Sequence, residues 1–282
     1  MNLQAIDPAP GASTGDRPIG VFDSGMGGLS VLAALRAELP HEDFVYFADT
    51  AYAPYGERGD AYVIDRSLAV AEHLLREHRV KALVVACNTA TTAAIHLLRA
   101  AHPALPIVGL EPGLKPAVAA SRTGHIAVMA TRGTLASAKY AALRTAVAGT
   151  ADVRPVPCDG LVKAIEGFDA AGIAALCERY MQEAGPFGEG AADVDTVVLG
   201  CTHYPLVIDA LRKHAPATLR FIDTGLPVAQ HTRRLLAAAG QVAGDDAGDG
   251  TLRLESSGQV AVLEAAAARW LGLSTARTAT VS

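Results

Sequence analysis

Ala82-Leu-Val-Val-Ala-Cys87-Asn88-Thr89 and Thr196-Val-Val-Leu-Gly-Cys201-Thr202-His203 are two copies of one local pattern. Each is a short apolar run that ends in Cys followed by small polar residues. A run apolar at consecutive positions suits a strand buried on both faces of a parallel sheet, so each cysteine falls at a strand's carboxyl end. In open α/β sheets that edge is where ligands bind. Two thiols delivered there by equivalent units point to one shared task.

Working outward, strand-like runs recur at 19–23, 43–48, 82–87, 126–130, 152–157, 195–200 and 219–223. Helical patterns fill 28–38, 60–78, 91–101, 135–147, 169–183, 206–214, 226–239 and 257–271. Regular alternation of the two predicts an α/β fold with mainly parallel sheets. The repeat is wider than the cysteines: Ile19-Gly-Val-Phe-Asp23-Ser24 resembles Ile126-Ala-Val-Met-Ala130-Thr131, 107 residues later, and Cys201 lies 114 residues after Cys87. Offsets this close predict two similar α/β domains related by pseudo-two-fold symmetry. The Pro- and Gly-bearing stretch from Leu105 to Pro116 is the natural crossing between them. The expected division is 1–18 as a disordered extension, 19–112 plus 223–282 as the first domain, and 113–222 as the second.

A length of 282 residues against about 150 per domain agrees with two domains. Half of the residues are hydrophobic and only 5% aromatic, so Ala, Val and Leu must fill most of the interior. The formal charge of -5, with no basic run, gives no electrostatic footprint for nucleic acid, and no nucleic-acid partner is expected. Uninterrupted apolar stretches are too short to span a bilayer, and the first 18 residues have neither a basic nor an apolar signal region. No membrane association and a cytoplasmic location are expected. The four cysteines, Cys87, Cys158, Cys177 and Cys201, do not resemble a disulfide framework, and free thiols fit a reducing compartment.

A thiolate is the reactive form of cysteine, and a helix N-terminus favours it through unpaired backbone N–H groups. Residues 88–92 (Asn-Thr-Ala-Thr-Thr) can cap a helix from about 91, and Pro205 suits the first turn of a helix running to 214. A lone strand cysteine is ordinarily small apolar packing, the reading given to Cys177 and, at a strand end, Cys158. The matched pair sets Cys87 and Cys201 apart. Asp23-Ser24-Gly25-Met26-Gly27-Gly28 follows the first strand and opens a helix, a place for an anion or a tight turn of positive φ, but its spacing is not that of a dinucleotide or P-loop motif. Asp23 there needs solvent or a cation, and a substrate ammonium qualifies. Tyr55 and Gly56 lie in a Pro- and Gly-bearing loop at the same edge, as substrate-contact candidates. His203, two residues after Cys201, can tune it or bind a carboxylate. The other histidines read as surface residues, with His73 and His78 on a solvated, charged helix face. No H-x-x-x-H or H-E-x-x-H spacing is present, and no metal is expected.

At these residues the chain resembles the cofactor-independent aspartate/glutamate racemases, and glutamate racemase among them. The resemblance is carried by Gly20-Val-Phe-Asp23-Ser24-Gly25 with Gly27-Gly28-Leu29, Tyr46-Phe-Ala-Asp49 through Pro54-Tyr55-Gly56, Ala86-Cys87-Asn88-Thr89, and Leu199-Gly200-Cys201-Thr202-His203-Tyr204-Pro205-Leu206. It implies an active site in the interdomain cleft, with Cys87 acting on D-glutamate and Cys201 on L-glutamate and no cofactor. It implies further that Asp23, Glu166 and His203 assist the thiols. Asp23, Ser24, Tyr55, Gly56, Asn88, Thr89, Thr202 and His203 would hold glutamate, with Thr131 and Thr134 lining the cleft. A homodimer supplying D-glutamate for peptidoglycan is the family's setting. Open alternatives are a racemase of the same fold acting on aspartate or another amino acid, and a secondary, non-catalytic binding or inhibitor role.

Overall fold

The structure, a computed structural model, describes residues 14–244, 248–272 and 277–280, the last four by their backbone alone. Its strands are β1 (Ile19–Asp23), β2 (Phe44–Ala48), β3 (Ala82–Val85), β4 (Ile107–Gly109), β5 (His125–Ala130), β6 (Asp152–Pro157), β7 (Thr196–Leu199), β8 (Arg220–Ile222), β9 (Leu252–Ser256) and β10 (Arg277–Thr280). Its helices are α1 (Leu29–Glu38), α2 (Asp60–His78), α3 (Asn88–Ala101), α4 (Leu114–Ala120), α5 (Arg132–Ala136), α6 (Ala138–Val147), α7 (Leu161–Glu166), α8 (Ala170–Ala184), α9 (Ile208–Arg212), α10 (Gly225–Ala238) and α11 (Val260–Leu271).

The strands form two sheets, ordered β10-β9-β2-β1-β3-β4 and β6-β5-β7-β8, and every pairing is parallel. The core of the first sheet, β2-β1-β3-β4, has the same order as the whole second sheet. β1 corresponds to β5 and β3 to β7, so Cys87 and Cys201 follow equivalent strands. In each sheet the order reverses between these two strands, which opens a crevice at their carboxyl ends.

Helices cover both faces of both sheets, as parallel sheets require. Alternation along a strand deals its side chains to the two faces. On β3, Val84 joins the core under α1, α10 and α11, while Leu83 and Val85 join the core under α2 and α3. Cys87 continues the second set. On β7, Val198 packs toward α4 and α6, while Val197 and Leu199 pack toward α8 and α9, and Cys201 continues that set. Each thiol is therefore the next inward position beyond its strand.

Several boundaries differ from the sequence reading. The predicted helix over 135–147 is broken because Ser137 leaves the helix (φ -71°, ψ 146°) and its side chain accepts from Tyr140 N, starting α6 anew. β4, α4 and α7 were missed because three to seven residues are too few to establish a period. β9 and β10 were missed as well: β9 carries Arg253 and Glu255 within a five-residue run, and it lies beside β2. The α3 helix begins at Asn88 rather than 91. The glycines at 25, 27 and 28 are not among those with positive φ, so a strained turn is not their reason.

Of the expected disordered extension, residues 1–13 lie outside the described residues, while Thr14–Asp16 forms a single 3-10 turn tied to the body. The tie is Lys81, whose Nζ donates to the carbonyls of Gly15 (2.5 Å) and Gln241 (2.9 Å) and pairs with Glu42 Oε2 (2.5 Å). Glu42 Oε1 accepts from Ala243 N at 2.8 Å. Both side chains are almost fully buried, so removing one partner leaves a charge without compensation. Lys81→Met should destabilise the protein by about 3–5 kcal/mol, and the double change with Glu42→Met by clearly less. Urea unfolding of the two variants checks this; equal losses would show that the pair is not what holds the segment.

Candidate active site

Cys87 is the N-cap of α3, and its sulfur accepts from Ala90 N at 3.5 Å. Its thiol also approaches Ser24 Oγ at 3.7 Å, across the β1/β3 crevice. Burial pushes the Cys87 thiol well up from its ordinary value, and the nearby Asp23 charge pushes the same way; the bonds to Ala90 and Ser24 oppose this without overcoming it. At rest Cys87 is a protonated thiol. The helix N-terminus expected to activate it is present and is outweighed by loss of water.

Cys201 differs. The residues after it form a 3-10 turn, Tyr204–Val207, and the α-helix starts only at Ile208, so this sulfur does not cap the α-helix that follows it. Its neighbour is the imidazole of His203, with Nδ1 at 3.7 Å and Nε2 at 2.9 Å from Glu166 Oε1. Burial draws the His203 pKa down, but the bonds and charges of Cys201 and Glu166 outweigh it and hold the imidazole protonated well above its usual range. Partial burial raises the pKa of Glu166, yet the hydrogen bond to His203 wins and the net direction is down. Cys201, His203 and Glu166 form a chain in which a cation lies between sulfur and carboxylate.

The two half-sites meet at the glycine turn. A β-carbon at Gly25 would run into Glu166 Oε1, and one at Gly27 would strike the His203 ring and stand 2.6 Å from Thr202 Oγ1. Lacking side chains there, the turn lets second-sheet residues reach the first sheet. Glu166 Oε1 accepts from Met26 N (3.2 Å), Ser30 Oγ donates to Thr202 O (2.7 Å), and Thr202 Oγ1 donates to Asp23 Oδ2 (3.2 Å). Asp23 is fully buried and also accepts from Ser24 N and Gly28 N, each at 2.6 Å. Burial nevertheless raises its pKa.

The remaining expected residues take distinct places. Asn88 is buried, and its Oδ1 has no hydrogen-bond partner, so it is an acceptor open to a cationic donor. A β-carbon on Gly56 would lie 3.7 Å from Thr131 Oγ1 and 3.8 Å from Thr89 Oγ1, which brings these three together across the sheets. Thr134 is buried, and its N and Oγ1 bond to Thr131 Oγ1. Tyr55 is buried in the same core as Cys87, and its hydroxyl donates to Asp49 Oδ2 at 2.5 Å. Two residues that the sequence reading passed over fix these loops. Arg66 clamps Asp49 through Nε (3.0 Å) and Nη2 (2.9 Å), and Tyr46 Oη donates to Gly25 O (2.9 Å). The buried Asp49 at a strand end was the signal for a cationic partner.

The family model for Asp/Glu/Hydantoin racemases matches residues 27–232. The chain belongs to this racemase family. Among curated relatives, the glutamate racemase of Ralstonia pickettii is 48% identical over 257 residues, covering 90% of this chain and 88% of the relative. Among solved structures, a glutamate racemase isoform from Bacillus anthracis superposes with a TM-score of 0.82 at 30% identity, over 94% of this chain and 97% of that one. Glutamate racemase from Francisella tularensis in complex with D-glutamate gives 0.78 at 26%, over 95% and 98%. The two-sheet arrangement of this chain is thus that of the racemase family.

The His203 environment can be tested in isolation from turnover. Partners that raise the imidazole pKa keep it protonated as pH climbs, so losing one must move its titration to lower pH. Glu166→Gln should shift the His203 imidazole resonances to a lower titration midpoint in NMR. An unchanged midpoint would remove Glu166 from the electrostatics of the site.

Proposed function

We propose that the chain is a glutamate racemase that interconverts L- and D-glutamate with two thiols and no cofactor, and supplies D-glutamate for peptidoglycan. The observation that carries this is the pair of cysteines on equivalent inward positions of two like sheets, joined by the Asp23–Thr202 contact. Inverting a stereocentre through a planar carbanion needs a base on one face and an acid on the other. Two halves of the same layout, each ending in a thiol, meet that demand.

In the direction from L-glutamate, the Cys201 sulfur takes the α-proton, and the electron pair stays on Cα. Cys87, a thiol at rest, then gives its proton to the opposite face, leaving D-glutamate, a protonated Cys201 and a Cys87 thiolate. The reverse direction exchanges the roles. The His203 imidazolium stands beside the sulfur whose charge changes in this step, and Glu166 holds it there. The Ala90 N–H and the Ser24 hydroxyl stabilise the Cys87 thiolate once it forms. Asp23 and the open Asn88 Oδ1 receive the substrate ammonium. Hydroxyls of Ser24, Thr89, Thr131 and Thr202, with the first N–H groups of α3, receive the carboxylates, while Tyr55 and Thr134 hold Gly56 and Thr131 in place. Preorganised donors of this kind carry the carbanionic transition state where no electron-sink cofactor does.

Among the described residues no helix is long and apolar enough to cross a membrane. A cytoplasmic homodimer is the setting this reading takes, and light scattering of the purified protein checks the assembly. For the mechanism, Cys87→Ala and Cys201→Ala should each lower racemisation by at least about 10²–10⁴-fold, the range for loss of a positioned acid or base. Racemisation of L-glutamate in D₂O should place deuterium at Cα of the D-product ahead of the remaining L-substrate. Full activity in either variant would end the two-thiol reading, and faster turnover of aspartate than glutamate would change the substrate.

A further inference from the structure

On the far edge of the first sheet, away from both thiols, His73 and His78 of α2 converge on Glu255 of β9. His73 Nε2 is 2.9 Å from Glu255 Oε2, and His78 Nε2 is 3.0 Å from Glu255 Oε1. The three ligand atoms lie within 4.8 Å of one another. These histidines are not on a solvated face: their side chains are 16% and 13% exposed, and Glu255 is 2% exposed. Although His78 Nε2 is close to the carboxylate, it is not aligned with it, and this buried nitrogen has no hydrogen-bond partner. Arg253 Nε, on a half-exposed side chain, holds Glu255 Oε1 at 2.7 Å.

We propose that His73, His78 and Glu255 form a binding site for a borderline divalent cation of the zinc, cobalt and nickel class. Two imidazole nitrogens and one carboxylate are the donor set such ions favour over magnesium or calcium. Metal–nitrogen bonds of about 2.0–2.1 Å in a tetrahedron set ligand atoms roughly 3.3 Å apart, a spacing that lies between the two nitrogen–oxygen separations of 2.9 and 3.0 Å and the 4.8 Å within which the three atoms lie. A cation there would give the His78 nitrogen the partner it lacks. It would also satisfy the carboxylate, with Arg253 free to turn toward solvent.

The ligands are held in advance. Glu255 is fixed in register opposite Phe47 of β2, and the His73 ring packs on Phe47 with centroids 5.2 Å apart. His78 is the last residue of α2, where Arg79 closes the helix in the left-handed region at φ 50°. The spacing of five between the histidines is not a recognised metal pattern, and the third ligand lies more than 170 positions away in sequence. The expectation of no metal came from those spacings alone.

The test is cobalt(II) binding to the full-length, reduced, chelator-washed protein, because cobalt reports its own ligands. The expected result is one equivalent bound per chain, with visible d–d bands, no sulfur-to-cobalt charge transfer, and a raised melting temperature that a chelator reverses. His73→Ala/His78→Ala should weaken binding by more than the roughly 10–100-fold seen for loss of mere outer-shell partners, while keeping the racemisation rate of the parent. Equal cobalt binding in parent and variant, or sulfur charge-transfer bands in the parent, would place the metal on other residues and overturn the proposal. If the variant does not fold, the parent decides: a melting temperature that cobalt leaves unchanged also overturns it.

Discussion

Missing β-carbons at residues 25 and 27 allow the two halves of the molecule to touch. Any side chain at these positions would occupy the space taken by Glu166, His203 and Thr202. That close approach brings an imidazole, a carboxylate and a hydroxyl from the second sheet against the Asp23–Gly28 turn of the first. Gly28 serves the same end within its own half, because a β-carbon there would stand 2.8 Å from both Asp23 Cβ and Tyr46 Oη. Asp23 can then sit buried with Oδ2 accepting from both Gly28 N and Thr202 Oγ1. The glycines are present for space rather than for unusual backbone angles.

Equivalent strand ends do not produce equivalent thiols. Cys87 caps an α-helix, with the Ala90 N–H and the Ser24 hydroxyl beside it, yet burial and the Asp23 charge leave it protonated. Cys201 precedes only a 3-10 turn, which begins at Tyr204, and lies beside a charged imidazole held by Glu166. One half sets a backbone N–H beside its sulfur, and the other sets a side-chain cation there. In the proposed racemisation, whose two directions begin at opposite sulfurs, this asymmetry gives each direction its own surroundings.

How much of this was legible in the sequence can be followed residue by residue. Gly200-Cys201-Thr202-His203 and Ala86-Cys87-Asn88-Thr89 showed the strands, the edge and the thiols, because buried parallel strands read as continuous apolar runs. Glu166 was reachable only through the resemblance, since it sits on a six-residue helix with no period to reveal its face. Arg66 and Tyr46 were passed over because one lies mid-helix and the other mid-strand, where charge and hydroxyl have ordinary explanations. His73 and His78 were placed on a solvated face because the helix pattern around them is charged; Glu255, which covers them, comes from the far end of the chain.

The sequence by itself determined the alternation of strand and helix, the repeat of one layout in two halves and the position of each cysteine at a strand end. These follow from local periodicity, which neighbouring residues carry among themselves. Only the tertiary structure decided the surroundings of each thiol and the partners it keeps. Those depend on burial and on contacts such as Thr202 with Asp23, 179 residues apart in the chain, and at Cys87 desolvation outweighs what the helix N-terminus would do.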